Sequence, residues 1–516
     1  MTVDEMDETS NRKRMKIAYV HDPPNQDEIA TRWRNPSFLS ERGFTDLVVA
    51  DQLFGCLSLV MENATSSEVS QRISDLNERI QEALDSGLET WVMEDLFTLP
   101  TEIAQSSNGC PHDDETWRSI NTNLHALFNQ YPDLKGIIFR FGEAFETDSW
   151  AIRINPFSCQ CNVCERLGKI GALQRIVSEL EEIVCEQLGM YCILRMWDLG
   201  EDGFHADSEQ QSAGLATWND NTRLVVSVKH TATDYWRNQP WNNSIELDGP
   251  PRLIEFQCER EYEFLGLVPN WLGNSLSQGF PEVDEDTTTG LSNSIPPNWA
   301  GTYIIPRGGG WSADHASDDF WSEMNAHAVI ALTDNPNRDP DEILDEFLKQ
   351  SGFDDHESRF SFATLIKMSS DLILHLRYLH TFQDLAKQIW MPSHNWFRDD
   401  TFVPGACAHI TNLVTKAGLG DNLRADRAFA SIIARTQLNR AEALFNGGRF
   451  TNHPKAEFIL NSYHFAVNFA TLSESIWNEL LDTASISPTP LDRQDAKHVI
   501  LENLERTPLN PLRCLD

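Results

Sequence analysis

Basic residues are scarce in this chain. Of its 516 residues, 41 are Lys or Arg against 78 Asp or Glu, a formal charge of −37 and an isoelectric point near 4.7. Arginine outnumbers lysine, so the surface is a field of carboxylates with few ammonium groups. Such a field repels phosphate backbones and anionic lipid, and neither nucleic acid nor a membrane is an expected partner. Two readings of the charge stay open: adaptation to high salt, where screening removes the self-repulsion, or an ordinary acidic enzyme. Long apolar runs are lacking too. No stretch approaches the roughly 18 to 20 uninterrupted apolar residues of a membrane span. The N-terminus, Met-Thr-Val-Asp-Glu-Met-Asp-Glu, has no apolar core of a secretory signal, and a cytoplasmic protein is the expectation. Ten cysteines are too few for a disulfide scaffold and read as thiols or metal ligands. There is no internal repeat and no low-complexity block, which excludes solenoids and arrays.

What is present is a chain long enough, at 41% hydrophobic residues, for one large core and a smaller one. Residues 1 to 15 are charged and aperiodic and are expected to be a disordered tail. Eight short apolar runs then alternate with helical or long connecting stretches: Lys16–Val20, Asp46–Asp51, Glu89–Glu94, Gly136–Glu143, Tyr191–Trp197, Arg223–Lys229, Arg252–Gln257 and Thr302–Ile305. That count and alternation predict a (β/α)8 barrel over residues 16 to 317, although the sixth connection lacks a clear helix. The texture changes near residue 318. Asp318–Leu332 has a helical pattern, Pro340 opens a helix from Asp341 to Gln350, and longer helices are expected at about 357–390, 423–446 and 455–483. Residues 318 to 516 therefore read as an α-helical C-terminal domain.

In a barrel of this kind the chemistry sits at the C-terminal ends of the strands. Tyr131-Pro-Asp-Leu-Lys-Gly-Ile-Ile-Phe-Arg-Phe-Gly-Glu143 opens on a turn, runs through an apolar strand and ends on a carboxylate at the mouth. Arg195, Lys229, Asp234 and Glu255 follow on the later strands. Burying any of them alone would cost several kcal/mol, so each should meet a partner or a ligand. A structural ion-pair network satisfies that demand, and so does a hydrolase for an anionic sugar. Trp197, Trp236 and Trp241 would supply apolar faces for sugar rings.

At these positions the chain resembles the α-glucuronidases of glycoside hydrolase family 67. Asp133-Leu-Lys-Gly-Ile-Ile-Phe-Arg-Phe-Gly-Glu143 looks like the family's D-L-K-G-F-V-V-K-A-N-S-E-G, shortened by one residue. Lys229-His-Thr-Ala-Thr-Asp-Tyr-Trp-Arg-Asn-Gln-Pro-Trp241 looks like K-N-G-P-I-D-F-Q-P-R-E-P-F. Glu255-Phe-Gln-Cys-Glu-Arg-Glu-Tyr262 is similar to E-L-Q-I-T-Q-E-Y, and Asp339-Pro-Asp-Glu-Ile-Leu-Asp-Glu-Phe is similar to a helical motif of the family's C-terminal domain. The motifs cover about residues 130 to 350 and keep their order.

The resemblance implies that Glu143 is the general acid and that Asp234 and Glu255 hold and deprotonate the attacking water, with inversion at the sugar carbon. An inverting enzyme places its acid and base about 6.5 to 9.5 Å apart to admit that water. Arg195 and Lys229 match family positions that contact the uronate, and Arg140 stands near a lysine with the same task. No cofactor is implied for catalysis, and dimerisation through the helical domain is. Because the first barrel strand begins almost at once, no counterpart of the family's N-terminal β-domain is expected. Glu259 and Glu261 compete with Glu255, which is preferred because Leu253, Glu255 and Gln257 share one strand face. Two alternatives remain: a hydrolase of another uronic-acid glycan, and a non-catalytic sugar-binding barrel.

Cys159-Gln-Cys-Asn-Val-Cys164 places three thiols in six residues. With Cys110 or His112 as a fourth ligand they could hold a structural Zn²⁺. Reduced thiols packed beneath a loop are the plain alternative. An iron–sulfur cluster is a third, disfavoured by the spacing.

Overall fold

The computed structural model describes residues 13–21, 28–51, 66–140, 152–197, 203–237, 239–280, 289–308, 317–382, 401–507, 509 and 513–514. Eight parallel strands close a barrel: β1 (Met15–His21), β2 (Asp46–Asp51), β3 (Glu89–Asp95), β5 (Gly136–Arg140), β7 (Tyr191–Arg195), β8 (Leu224–Lys229), β9 (Arg252–Gln257) and β10 (Trp299–Gly308). Each pairs with its neighbour in sequence, and β10 returns to β1. Two short strands, β4 (Thr98–Leu99) and β6 (Ile152–Arg153), pair antiparallel outside the barrel. All eight expected strands are present. The last is longer than expected and runs through Pro306, which lies where the β1–β10 register slips between Ala18–Ile304 and Val20–Arg307. Such an irregularity tolerates a residue without an N–H. Glu143 lies outside the described residues, as does most of the expected N-terminal tail.

The runs are continuously apolar because a parallel barrel buries both faces of each strand. On β5, Ile137 and Phe139 turn outward to the core beneath the helices, while Ile138 turns into the lumen beside Met93, Ile193, Leu253 and Tyr303. At the N-terminal end Asp46 is buried and accepts from Trp91 Nε1 at 2.8 Å and Lys135 Nζ at 2.9 Å, which plugs that end with a satisfied polar group.

The outer layer includes α1 (Pro36–Glu41), α2 (Ser66–Asp85), α3 (Thr101–Ser107), α4 (Asp114–Gln130), α5 (Asn162–Leu180), α6 (Ser208–Gly214) and α7 (Gly273–Gln278). Residues Gly168 to Leu188 form the end of α5 plus a π-helical stretch, Glu181–Gln187, and Gly168 itself sits at φ 64° where α5 kinks. The connection between β8 and β9 contains only a 3-10 turn, Asn243–Glu246.

Phe320–Asp334, α8, was grouped by sequence with the helical domain. In the structure it lies on the barrel: Thr333 contacts Thr302 of β10 at 3.1 Å, Asp334 pairs with Lys16 of β1 at 2.6 Å, and Arg32 pairs with Asp319 and Glu323. Beyond it run α9 (Pro340–Gln350), α10 (His356–Lys367), α11 (Ser369–Arg377) and the helices Pro404–Lys416, Gly420–Phe445, Ala456–Ile486 and Arg493–Arg506. The helix expected at 357–390 is broken at Met368, and residues 383–400 are outside the described set. Phe320 joins this layer to the barrel through rings of Phe347 and Phe353 at 5.3 and 6.0 Å. Among the described residues no helix is long and apolar enough to cross a membrane.

Gly136 starts β5 where a Cβ would lie 2.2 Å from the Tyr191 carbonyl oxygen and 2.8 Å from the Trp91 ring. Gly136→Ala should therefore destabilise the barrel by about 1 to 3 kcal/mol, read as a lower thermal midpoint. Gly405→Ala, with nothing within 4 Å, is the control and should be near neutral.

Candidate active site

Register decides what meets at the mouth. Strand alternation turns Arg195, Ser227, Lys229 and Glu255 inward, and pairing sets Arg195 opposite Ser227 and Lys229 opposite Glu255. Glu255 is fully buried, and each of its oxygens accepts twice. Oε1 takes Arg195 Nε at 2.9 Å and Ser227 Oγ at 2.8 Å; Oε2 takes Arg195 Nη2 at 2.8 Å and Tyr235 OH at 3.0 Å. A carboxylate has about four lone-pair sites, and here all are filled. Burial opposes its ionisation, but the charge and paired hydrogen bonds of Arg195 outweigh burial and bring its pKa from 4.5 down to about 2. Arg195 is held above its usual range by the same partner, although burial works against it.

Asp234, in the loop after β8, is the neighbouring carboxylate. Its Oδ1 accepts from Lys229 Nζ at 2.6 Å and the Tyr235 N–H at 3.0 Å, and its Oδ2 from Tyr262 OH at 2.6 Å. One acceptor site on Oδ2 is left. Burial again raises its pKa, Lys229 lowers it, and the net shift is downward from 3.8. Tyr235 links the two carboxylates, donating its N–H to one and its hydroxyl to the other.

Arg140 ends β5 and donates Nε and Nη2 to Asp95 at 3.1 and 3.2 Å and Nη1 to Asp51 at 3.0 Å; Asp51 also accepts from Tyr19 OH at 2.8 Å. All three cations expected to bind a uronate thus meet carboxylates of the chain itself. The three tryptophans differ. Trp197 is half-buried at the mouth, with Lys229 Nζ 3.4 Å from its ring centre. Trp236 is buried, stacked on Tyr262 at 4.6 Å with Arg377 against its ring at 4.8 Å, and Trp241 is buried against His230 at 5.9 Å. The last two pack the mouth's wall. Glu259 and Glu261 are buried in the loop after β9, where Glu259 accepts from the Gly308 N–H at 2.7 Å and Glu261 from Gln257 at 3.3 Å. Burial lowers His205 to about 4 and His230 to about 3, so neither is an imidazolium at neutral pH.

Ser227, Tyr235, Tyr262, Asp51 and Asp95 were not singled out from sequence. Ser227 had a signal, since it shares a face with Lys229 two residues on. Tyr235 and Tyr262 stood inside the quoted motifs, but only the fold brings their hydroxyls to the carboxylates.

Away from the mouth, Cys110, Cys159, Cys161 and Cys164 bring their sulfurs within 4.8 Å of one another, a set that could hold a metal ion. Cys110, and not His112, completes it. Burial pushes Cys110 up to about 11 and Cys164 higher still, while the Cys164 N–H lowers Cys161 to about 7.

No family model matches the chain, and no curated protein matches it. Among solved structures it is similar to a GH138 enzyme targeting pectin rhamnogalacturonan II, at 11% identity and a TM-score of 0.53 over 97% of this chain. This chain spans 63% of that enzyme's length. A mutant of the Thermobaculum terrenum O-GlcNAc hydrolase (10% identity, 96% of this chain and 95% of that one, TM-score 0.39) and CpGH84B (9%, 96% and 73%, 0.41) also align. At these identities the first likeness establishes a shared fold. The family 67 resemblance rests on its motifs alone.

Because the Glu255 pKa is depressed, its ionisation stabilises the fold above about pH 4.5, and that contribution is lost as pH falls from 4.5 toward 2. Glu255→Gln should therefore lose about 3 kcal/mol at pH 7 and show a shallower acid limb in unfolding midpoints against pH. Glu263, also held near 2 by Arg260 against its burial, keeps part of that limb in the variant. Parallel curves for the two proteins would contradict the assignment.

Proposed function

We propose that this protein is a glycoside hydrolase working at the C-terminal mouth of its barrel. The observation that carries the reading is the pair of buried carboxylates, Glu255 and Asp234, kept ionised side by side by Arg195 and Lys229. Glycoside hydrolysis needs one ionised carboxyl to serve the water and one protonated carboxyl to serve the leaving oxygen. A shared fold with a GH138 enzyme targeting pectin rhamnogalacturonan II supports the class.

Within that class the two carboxylates divide the work. Asp234 keeps one acceptor site and is the group that takes the proton of the attacking water. Glu255, with its lone pairs filled, fixes Arg195 and Tyr235 around that water and sets the local charge. Glu143 follows the fourth barrel strand in sequence and is the proposed general acid, giving its proton to the leaving oxygen.

The finer reading is an inverting α-glucuronidase, and it rests on the family 67 resemblance. Its uronate would meet cations already matched by Asp51, Asp95, Asp234 and Glu255. A substrate carboxylate must then share or displace one of these partners, with Arg195 Nη1 an open donor: among the described residues it meets Met93 Sδ at 3.8 Å and no carboxylate. A hydrolase of another uronic-acid glycan uses the same residues with a different leaving group. A sugar-binding barrel would keep the cations and activate no water.

A panel of uronic-acid and matched neutral oligosaccharides, with the anomer of the product followed by NMR, separates these readings. The expected result is release of a uronic acid with inversion, a loss of at least 1,000-fold in kcat in Glu143→Gln and Asp234→Asn, and retained binding in both. Net retention would remove the inverting assignment and make Asp234, with its open acceptor site, the nucleophile. Cleavage of neutral glycosides alone would remove the uronate reading, and binding without turnover would remove the enzyme.

A further inference from the structure

We infer that Cys110, Cys159, Cys161 and Cys164 form a structural zinc site that ties the third crossover of the barrel to the fourth. The four residues come from two places. Cys110 lies between α3 and α4, in the chain that follows β3; the other three lie between β6 and the first turn of α5, in the chain that follows β5. Nothing in the sequence spacing brings Cys110 to the other three, yet all four sulfurs gather within 4.8 Å.

The spacing fits one metal ion. Cys110 Sγ stands 3.6 Å from Cys161 Sγ and 3.6 Å from Cys164 Sγ. A tetrahedral ion with Zn–S bonds of about 2.3 Å holds its sulfurs about 3.8 Å apart. A disulfide needs about 2.05 Å, and the cysteines are free. A multinuclear iron–sulfur cluster spreads its thiolates over several irons and needs a wider cage. Four thiolates with tetrahedral geometry and no open position describe a closed structural site.

The surroundings hold the thiols in place. Cys161 caps the first turn of α5, its sulfur accepting the Cys164 N–H at 3.5 Å. Asp113 caps α4 a few residues after Cys110, and the Trp117 indole fixes the intervening Pro111 carbonyl at 2.8 Å. Cys110, Cys159 and Cys164 are buried and Cys161 is half-buried. Four thiols packed without an ion would give up solvation for weak contacts; a dication neutralises half of a tetrathiolate charge and bonds every sulfur.

The site also has a place in the architecture. The chain leaving β5 at Arg140 returns through β6, which pairs with β4, and ends at the cysteines. The chain that follows β6 is thereby held at β4 on one side and at the thiolate centre on the other. This inference does not depend on the reaction proposed for the mouth.

Metal content and thermal unfolding of the whole chain test it. Protein purified without added metal should hold one zinc per chain, released in step with the modification of four thiols by a mercurial reagent. Cobalt exchanged into the site should show the absorption of tetrahedral Co(II) thiolate. Cys110→Ser should lower zinc content at least 10-fold, and a strong chelator should lower the thermal midpoint of the unmodified protein without lowering that of the variant. If Cys110→Ser fails to fold, the chelator and cobalt measurements on the natural chain stand alone. Four freely titrating thiols with no stoichiometric metal, or iron in place of zinc, would overturn the assignment.

Discussion

The ion pair between Arg195 and Glu255 is the constraint on which the mouth of this barrel depends. Both groups are buried, and neither is affordable there without the other: an uncompensated charge in such a place costs several kcal/mol. Geometry makes the pair work, since the guanidinium meets the carboxylate through two near-parallel hydrogen bonds while Ser227 and Tyr235 take up the remaining lone pairs. Once Glu255 is fixed, Tyr235 is fixed by its hydroxyl. Its N–H then holds Asp234, and Asp234 holds Lys229 over the face of Trp197.

The helices after the barrel take part in this order. Tyr262, which donates to Asp234, has its carbonyl held by Arg377 Nε at 2.8 Å. The loop that carries it passes through three successive left-handed residues, Phe264, Leu265 and Gly266, and is tied by Arg260, Glu263, Arg237 and Tyr378 in one buried network. Tyr378 follows directly on α11. The helical layer therefore reaches the second carboxylate through two residues, and a disturbance of α11 would be felt at Asp234.

Much of the fold was legible in the sequence, because a strand buried on both faces is a short continuous apolar run bounded by turn residues, and eight of these alternate with helices. Strand ends were less so: Trp299–Gly308 extends beyond the expected Thr302–Ile305 on both sides. Arg195, Lys229 and Glu255 were legible as charges inside apolar runs. Their partners were not, since partnership depends on register and loop path, which place Ser227 opposite Arg195 and carry Tyr262 back to Asp234. The same limit applied to Arg140, expected to face a substrate and found between Asp51 and Asp95, and to Trp236, whose ring is covered by Tyr262. Cys110 stood as one of two candidates because a residue 49 positions from the cluster is chosen by the fold alone.

The account turns on Arg195 and Glu255 acting as one unit. A double-mutant cycle with Arg195→Met and Glu255→Gln, followed by chemical unfolding at pH 7, measures that directly. Each single change should cost about 3 to 5 kcal/mol, because it leaves a buried partner without its match. The double variant should recover about 2 kcal/mol or more of their sum. Simple additivity of the two losses would contradict the account.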